Sequence, residues 1–272
     1  MIPAPFTYQR ASSVDEAIDL AAEAGEDAKF LAGGHSLMPL MKLRLAVPDT
    51  LVDIGRIGEL SYVSERDGHV AIGALATHDE IARSGVLAAT VPLLADAAGR
   101  IGDPQVRHCG TIGGSLAHAD PAADLPAVML ALDATLVARG PSGTREIAAG
   151  DFFLGLFETV LAPGELLTEI RIPRPASAGW SFQKFSKRGI DWAIVGVAVQ
   201  GGNVGLVNMG STPLRATATE RELAAGSGPG DAAVHAAEGT SPSDDLNAPR
   251  AYREHLARVL VRRALQEAAS RA

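Results

Sequence analysis

The chain has a single cysteine, Cys109. That excludes an internal disulfide. It also excludes a structural zinc site or an iron–sulfur cluster ligated by cysteines of this chain alone. A reducing, cytoplasmic setting is the expectation. Basic charge is not in excess: 24 Lys and Arg stand against 32 Asp and Glu, a formal net charge of −8. Nucleic-acid binders carry a basic face. Here the basic residues are scattered, with only short runs such as Arg262-Arg263, so nucleic acid is not an expected partner. No apolar run reaches the ~20 residues that span a bilayer, and Met1 to Phe6 lacks the charged-then-apolar pattern of a secretory signal. The G-x-G-x-x-G fingerprint and the P-loop are missing, as is the G-x-S-x-G nucleophile elbow. His78, His108 and His118 do not form a recognisable metal motif.

What is present is enough apolar material for a sizeable core: 272 residues, 47% of them hydrophobic. Ser13 and Glu16 have capping-box spacing ahead of an apolar face that ends at Gly25. A strand is expected at Lys29–Leu31, a helix beyond Pro39 over Leu40–Leu45, and a strand at Leu51–Ile54. Strands follow at Tyr62–Ser64 and His69–Gly73. Thr77 and Glu80 form a second capping box, and Val86 to Ala98 is apolar at helical spacing. Gly102 to Ser115 is a long polar stretch. Asp120 with Pro121 reads as the start of another helix. Ala134–Arg139 and Leu166–Ile172 read as strands. Beyond Pro173-Arg174-Pro175, three strands (180–185, 193–200, 204–209) precede a Gly- and Pro-rich stretch, 227–249, and a long amphipathic helix over Tyr252–Ala269. Helices and strands alternate irregularly, which implies an α+β fold.

Two segments carry the chemistry. Ala32-Gly33-Gly34-His35-Ser36-Leu37 and Thr111-Ile112-Gly113-Gly114-Ser115-Leu116 each place two glycines before small or polar residues. Without Cβ atoms a backbone turns at positive φ and approaches a ligand closely. Successive N–H groups then converge on an anion, and a following helix adds its dipole. The Ser36, Thr111 and Ser115 hydroxyls supply further donors. On composition alone, either pair of glycines more readily makes a plain turn. His35 reads as a loop contact, Cys109 as a structural residue, and Asp103 and Arg107 as supports of the second segment.

Lys29-Phe30-Leu31-Ala32-Gly33-Gly34-His35-Ser36-Leu37, with Lys42-Leu43-Arg44 downstream, resembles the first flavin loop of the FAD-binding medium subunits of aerobic carbon monoxide dehydrogenases. Gly110 to Ser115, continued by Asp120-Pro121-Ala122-Ala123-Asp124-Leu125-Pro126, resembles their second. A similar domain lies within xanthine dehydrogenase. Pro213-Leu214-Arg215-Ala216, Glu220 and the run Tyr252-Arg253 to Leu265 resemble the family's C-terminal domain, so the likeness covers essentially the whole chain.

The resemblance implies a two-part FAD-binding fold of the vanillyl-alcohol oxidase type over residues 1–175, with subdomains of about 1–55 and 56–175, and a small α/β domain over 176–272. It implies that Lys29, Leu31, Ala32, Gly33, Gly34, His35, Ser36 and Leu37 line the adenosine diphosphate. Thr111, Ile112, Gly113, Gly114 and Ser115 would hold the pyrophosphate and ribityl region. Asp124 would accept from the adenine or ribose side, the alternative being a helix-start charge. Ile101, the Leu167 backbone and Lys184 would lie near the flavin. Relatives often carry Asn at the Ser115 position and Tyr or Phe at the Trp192 position. Trp192 offers the same ring face, or else sits in the core.

The implied partners are a large molybdenum-cofactor subunit and a small [2Fe–2S] subunit in a dimer of heterotrimers. This chain would relay electrons from the clusters through FAD to an acceptor. The alternatives are a self-sufficient FAD-dependent oxidoreductase and a flavin-free scaffold subunit.

Overall fold

The computed structural model of the chain describes residues 2–176 and 179–272, so Met1 of the N-terminal reading lies outside it. The first part is a three-stranded parallel sheet in the order β1-β3-β2: β1 (Thr7–Arg10), β2 (Ala28–Leu31) and β3 (Thr50–Asp53), crossed by α1 (Val14–Ala24) and α2 (Leu37–Lys42). Ser13 caps α1 by accepting from the Glu16 amide at 3.2 Å, but the Glu16 carboxylate turns to Ser12, so the expected box is half formed. Helix α2 starts at Leu37, before Pro39 rather than beyond it. Proline in a first turn removes no helical hydrogen bond, because those N–H groups have no intrahelical acceptor.

The second part holds β4 (Val63–Arg66), β5 (His69–Gly73), β6 (Thr135–Gly140), β7 (Gly143–Ala148), a small hairpin of β8 (Phe153–Gly155) and β9 (Glu158–Thr159), and β10 (Leu166–Pro173). The five long strands pair antiparallel in the order β4-β5-β10-β6-β7. Between β5 and β6 run α3 (His78–Arg83), α4 (Gly85–Thr90), α5 (Pro92–Gly99), α6 (Pro104–Cys109), α7 (Ile112–His118) and α8 (Asp124–Ala131), and α9 (Ala149–Phe152) follows β7. The apolar run 86–98 is therefore broken at Val91, where Pro92 opens a new helix. Asp120 does not cap α8. It accepts from the Ala122 amide in a turn, and the helix starts at Asp124. Thr77 and Glu80 do complete their box, with the Glu80 amide 3.2 Å from Thr77 Oγ1 and the Thr77 amide 2.7 Å from the Glu80 carboxylate. Thr77→Ala is expected to lower stability by about 1 kcal/mol, measured as a lower urea midpoint at constant slope. An unchanged midpoint would mean that the cap contributes nothing.

The third part is the antiparallel sheet β11-β12-β13-β14: β11 (Trp180–Phe185), β12 (Val195–Gln200), β13 (Asn203–Val207) and β14 (Leu214–Arg215). α10 (Thr217–Ala224), α11 (Pro229–Ala232) and α12 (Arg250–Ser270) complete it. Strand β12 is buried along its whole length, with α12 against the sheet. The core of the second part continues into the third through Phe182, Ala198 and Val207. Arg215 adds a polar seam, bonding Glu220, Asn203, the Asp133 carboxylate and the Leu130 carbonyl.

The amphipathic reading of α12, with Tyr252, Leu256, Val259, Leu260 and Leu265 on the apolar side, fails at Tyr252, which is 42% exposed, and at Arg253. Arg253 lies on the buried side, 1% exposed, among Leu256, Ala257 and Leu260. Its guanidinium meets both Asp245 oxygens at 2.9 and 2.8 Å and donates to the Ile194 carbonyl at 2.6 Å.

Candidate functional site

A cleft of about 680 Å³ opens where the three parts meet. Its walls contain Lys29, Leu31, Ala32, Gly33, Gly34, His35, Ser36 and Leu37 from the first part. The second part contributes Ile101, Thr111, Gly114, Ser115 and Asp124, and the third contributes Lys184 and Trp192. Three expected residues stand elsewhere. Ile112 is fully buried, Leu167 is 3% exposed inside β10, and Gly113 faces β5's end, where an added Cβ would stand 2.6 Å from Ala74 Cβ. None of the three lines the cleft: α7 turns Ile112 and Gly113 inward, and Leu167 is buried in the core from β10.

The first glycine segment runs from β2 into α2. Gly34 has φ +72°, a conformation that favours glycine. A Cβ on Gly33 would lie 1.9 Å from the Cys109 carbonyl oxygen, so this position needs glycine for close approach to α6. His35 Nδ1 sits 2.8 Å from the Gly33 carbonyl and braces the turn. Among the described residues, nothing accepts a hydrogen bond from the N–H groups of Gly33, Gly34, His35 or Ser36. These four successive donors stand in the cleft wall beside the start of α2. Buried or half-buried N–H groups are normally paired, and a run of free ones is an anion-binding nest.

The second glycine segment is built differently. Gly113 and Gly114 are not in a loop but in the first turn of α7. The Ile112, Gly113 and Ser115 amides donate to the carbonyls of Ala76, Ala74 and Thr111. The Gly114 amide donates to Thr111 Oγ1 at 3.1 Å. Thr111 is an N-cap, and the equivalence of the two segments in sequence does not extend to their hydrogen bonds. Gly114 itself is bare toward the cleft: beyond Thr111 Oγ1, the nearest atom to an added Cβ is Ala32 Cβ at 4.0 Å. The pair's task is close packing on one face and open space on the other. The Ser115 hydroxyl has no partner among the described residues.

Asp124 and Lys184 form a buried ion pair on the cleft wall. Nζ is 2.6 Å from Oδ2, and the two side chains are 8% and 5% exposed for Lys184 and Asp124 respectively. Burial pushes the Asp124 carboxyl up, and Lys184 opposes that, with Arg100 farther off. Asp124 is also the first residue of α8, so both sequence readings of it hold at once.

Several lining residues carry no sequence signal. His78 lies next to the Thr77 cap, nearly buried, with its pKa lowered to about 4 by desolvation and the nearby His35. It is therefore neutral at pH 7. Leu161 to Glu165 close another side through a turn at Pro163-Gly164 that nothing marks as chemistry-bearing. Trp192 is 60% exposed, so it is no core tryptophan, and it stands with Ile190 on the loop between β11 and β12. Cys109 is exposed as well, and it contributes only its carbonyl to the packing of Gly33. Asp103 caps α6 through the Val106 amide at 3.0 Å and Arg107 holds the Ile101 carbonyl at 2.6 Å, the supporting roles expected of them.

Residues 4–175 match the family model for the FAD binding domain in molybdopterin dehydrogenase. The chain belongs to the FAD-binding subunits of the molybdopterin dehydrogenase family. Residues 180–268 match the CO dehydrogenase flavoprotein C-terminal domain. The carbon monoxide dehydrogenase medium chain of Hydrogenophaga pseudoflava is 41% identical over 285 residues, covering 100% of this chain and 99% of the relative. The 6-hydroxypseudooxynicotine dehydrogenase complex subunit alpha of Paenarthrobacter nicotinovorans is 39% identical over 287 residues, covering 100% and 97%. A solved carbon monoxide dehydrogenase from Hydrogenophaga pseudoflava, lacking the Mo-pyranopterin moiety, aligns with TM-score 0.95 and 42% identity over 100% of both chains.

The cofactor of this molybdopterin-dehydrogenase flavoprotein is FAD. The cleft fits it, since the free amides suit a diphosphate and the Asp124 oxygen Oδ1 is a buried acceptor without a partner among the described residues. No described helix is long and apolar enough to cross a membrane.

Proposed function

We propose that this chain is the electron-relaying flavoprotein of a molybdenum hydroxylase assembled as a dimer of heterotrimers. Electrons leave a substrate at a molybdenum cofactor in a large subunit, pass through [2Fe–2S] clusters in a small subunit, and reach FAD here. With Cys109 alone, this chain has no set of cysteines to ligate a cluster, so clusters belong to a partner. Bound here, FAD would supply the redox chemistry between the partner's clusters and an external acceptor. This chain's residues bind and orient. The observation that carries the reading is the run of four free N–H groups from Gly33 to Ser36. They hold the diphosphate, aided by the Ser36, Thr111 and Ser115 hydroxyls and the positive end of α2. Lys29 to Leu31 flank the adenosine side. Lys184, Ile101 and Trp192 stand on the flavin side, where Trp192 offers a ring face; Asp124, expected toward the adenine or ribose, is taken with them because it pairs with Lys184 at 2.6 Å.

Acid precipitation of the purified chain is expected to release yellow cofactor with the mass of FAD and to leave a colourless pellet. Expressed alone, the chain is expected to be yellow yet unable to oxidise carbon monoxide, an aldehyde or a heteroaromatic ring. Adding the large and small partners restores turnover, and the flavin then bleaches under anaerobic substrate. Substrate oxidation by the isolated chain would overturn the relay reading. Gly114→Val tests the cleft assignment: its Cβ crowds the capping Thr111 Oγ1 at 2.9 Å, so the melting temperature drops slightly, while the rest of the side chain enters the cleft and flavin affinity falls by far more. Full flavin content after dialysis would place the diphosphate elsewhere.

A further inference from the structure

The cofactor cleft shares a wall with a second cavity, of about 720 Å³, at the seam between the second and third parts. Asp191 and Trp192 line both. Lys187, Asn247 and Arg253 belong to the second alone. Its size suits a small organic molecule, and its charge says which kind. Three cations, Lys187, Arg188 and Arg253, meet three carboxylates, Asp120, Asp191 and Asp245. Arg188 pairs with Asp191 at 3.0 Å and Arg253 with Asp245 at 2.8 Å. The wall thus has no net positive charge to offset a diphosphate. It has no nest either: the amides of Ala122, Asp191, Ile194, Asn208 and Asn247 all donate within the protein. A dinucleotide is poorly served here.

An uncharged ring with carbonyl oxygens is well served. The Lys187 ammonium has three N–H donors and one protein acceptor, the Leu246 carbonyl at 3.5 Å. The Asn247 side-chain amide has no partner among the described residues. Trp192 supplies a flat face. Beside these polar walls stand exposed apolar side chains: Leu246, between Asp245 and Asn247, and Ile190, next to Asp191. We infer that this cavity receives the ring of a quinone with an apolar tail, the external acceptor of the electrons, and that Trp192 is the partition between it and FAD. Lys187 and Asn247 donate to the quinone oxygens, and the tail lies along Leu246 and Ile190. The quinone takes up two electrons across Trp192 and two protons from solvent, and becomes a hydroquinone. The reduced cofactor is thereby reoxidised, and its two protons return to solvent. This rests on the relay reading of the cleft and deepens it.

The experiment uses the FAD-loaded full chain as wild type, Lys187→Ala and Asn247→Trp. Equilibrium dialysis gives Kd for an alkylated benzoquinone. Stopped flow gives the rate at which the same quinone reoxidises flavin that has been photoreduced without oxygen. Lys187→Ala removes free donors, and Asn247→Trp fills the cavity through a side chain that has no bond to lose. Lys187→Ala is expected to raise the quinone Kd ~10-fold, and Asn247→Trp by more, with reoxidation slowed to match. FAD content and melting temperature stay at the wild-type values. A tailless benzoquinone is expected to bind ~10-fold more weakly than the alkylated one. NAD⁺ is expected neither to bind nor to reoxidise the flavin. An unchanged quinone Kd in both variants overturns the inference. So does wild-type reoxidation in Asn247→Trp, because the acceptor then meets the flavin through the cleft, and so does reoxidation by NAD⁺. Failure of wild type to bind FAD would strike the underlying reading instead.

Discussion

Gly33→Ala is expected to strip the flavin and to lower the melting temperature in one step. A Cβ at residue 33 meets the Cys109 carbonyl oxygen at 1.9 Å and Gly110 Cα at 2.9 Å, both backbone atoms that cannot rotate away. The two glycine segments must therefore separate. Overpacking of this kind costs about 1–3 kcal/mol, on the order of 2–10 °C for a chain of this size. The larger effect is on binding, because the free N–H groups of residues 33–36 stand in the cleft wall only while the segment is seated. Hydrogen bonds to charged groups contribute about 1.5–3 kcal/mol each, so loss of two weakens FAD binding ~100-fold or more. Gly150→Ala is the control, since its Cβ meets nothing within 4 Å. The check is the flavin-to-protein absorbance ratio of dialysed protein beside its melting curve. A Gly33→Ala protein with full flavin and a wild-type Kd would detach the first segment from the diphosphate.

The second large effect lies far from the glycines and is asymmetric. Arg253 is 1% exposed, whereas the side chain of its partner Asp245 is 39% exposed. Asp245→Ala strands a guanidinium in the core. It also removes the acceptor of the Asn247 and Ala248 amides, at 2.8 and 3.1 Å. Breaking a buried pair from the side that leaves the buried charge costs about 3–5 kcal/mol. Arg253→Met leaves a carboxylate that water reaches and replaces the arginine with an apolar stem, so its cost is clearly smaller. Urea unfolding of both variants decides the matter. Equal losses, or a greater loss for Arg253→Met, would mean that the burial asymmetry does not govern this pair.

Much of the architecture is legible in the sequence because local signals coincide there with packing. The Thr77–Glu80 box, the strands read at 180–185 and 193–200, and most of the apolar side of α12 read directly. Where tertiary contacts take over, reading fails. Gly113 looks like a turn residue, but its place in α7 is set by the Ala74 contact 39 residues away in sequence. Arg253 reads as solvated because nothing nearby announces Asp245 as its partner. Cleft-wall residues were legible at the two glycine segments, whose types and spacing carry chemistry, and at Asp124 and Lys184 only through the family resemblance. His78 and Leu161 to Glu165 were not, since ordinary residues become cleft walls only through the meeting of three sheets. The shared letters of the two segments also hid a difference: one leaves its donors free, the other uses them to start a helix.

Because the cleft draws on residues from Lys29 to Trp192, it has an order of construction. A chain leaving the ribosome exposes the four free amides early, but Lys184 and Trp192 emerge more than half a chain later. Domains fold as units during synthesis, so the diphosphate wall can exist before the flavin side does. Stable retention of the cofactor therefore belongs to the last third of translation. A ribosome stalled before β11 would hold a nascent chain with an anion nest and no enclosure around it.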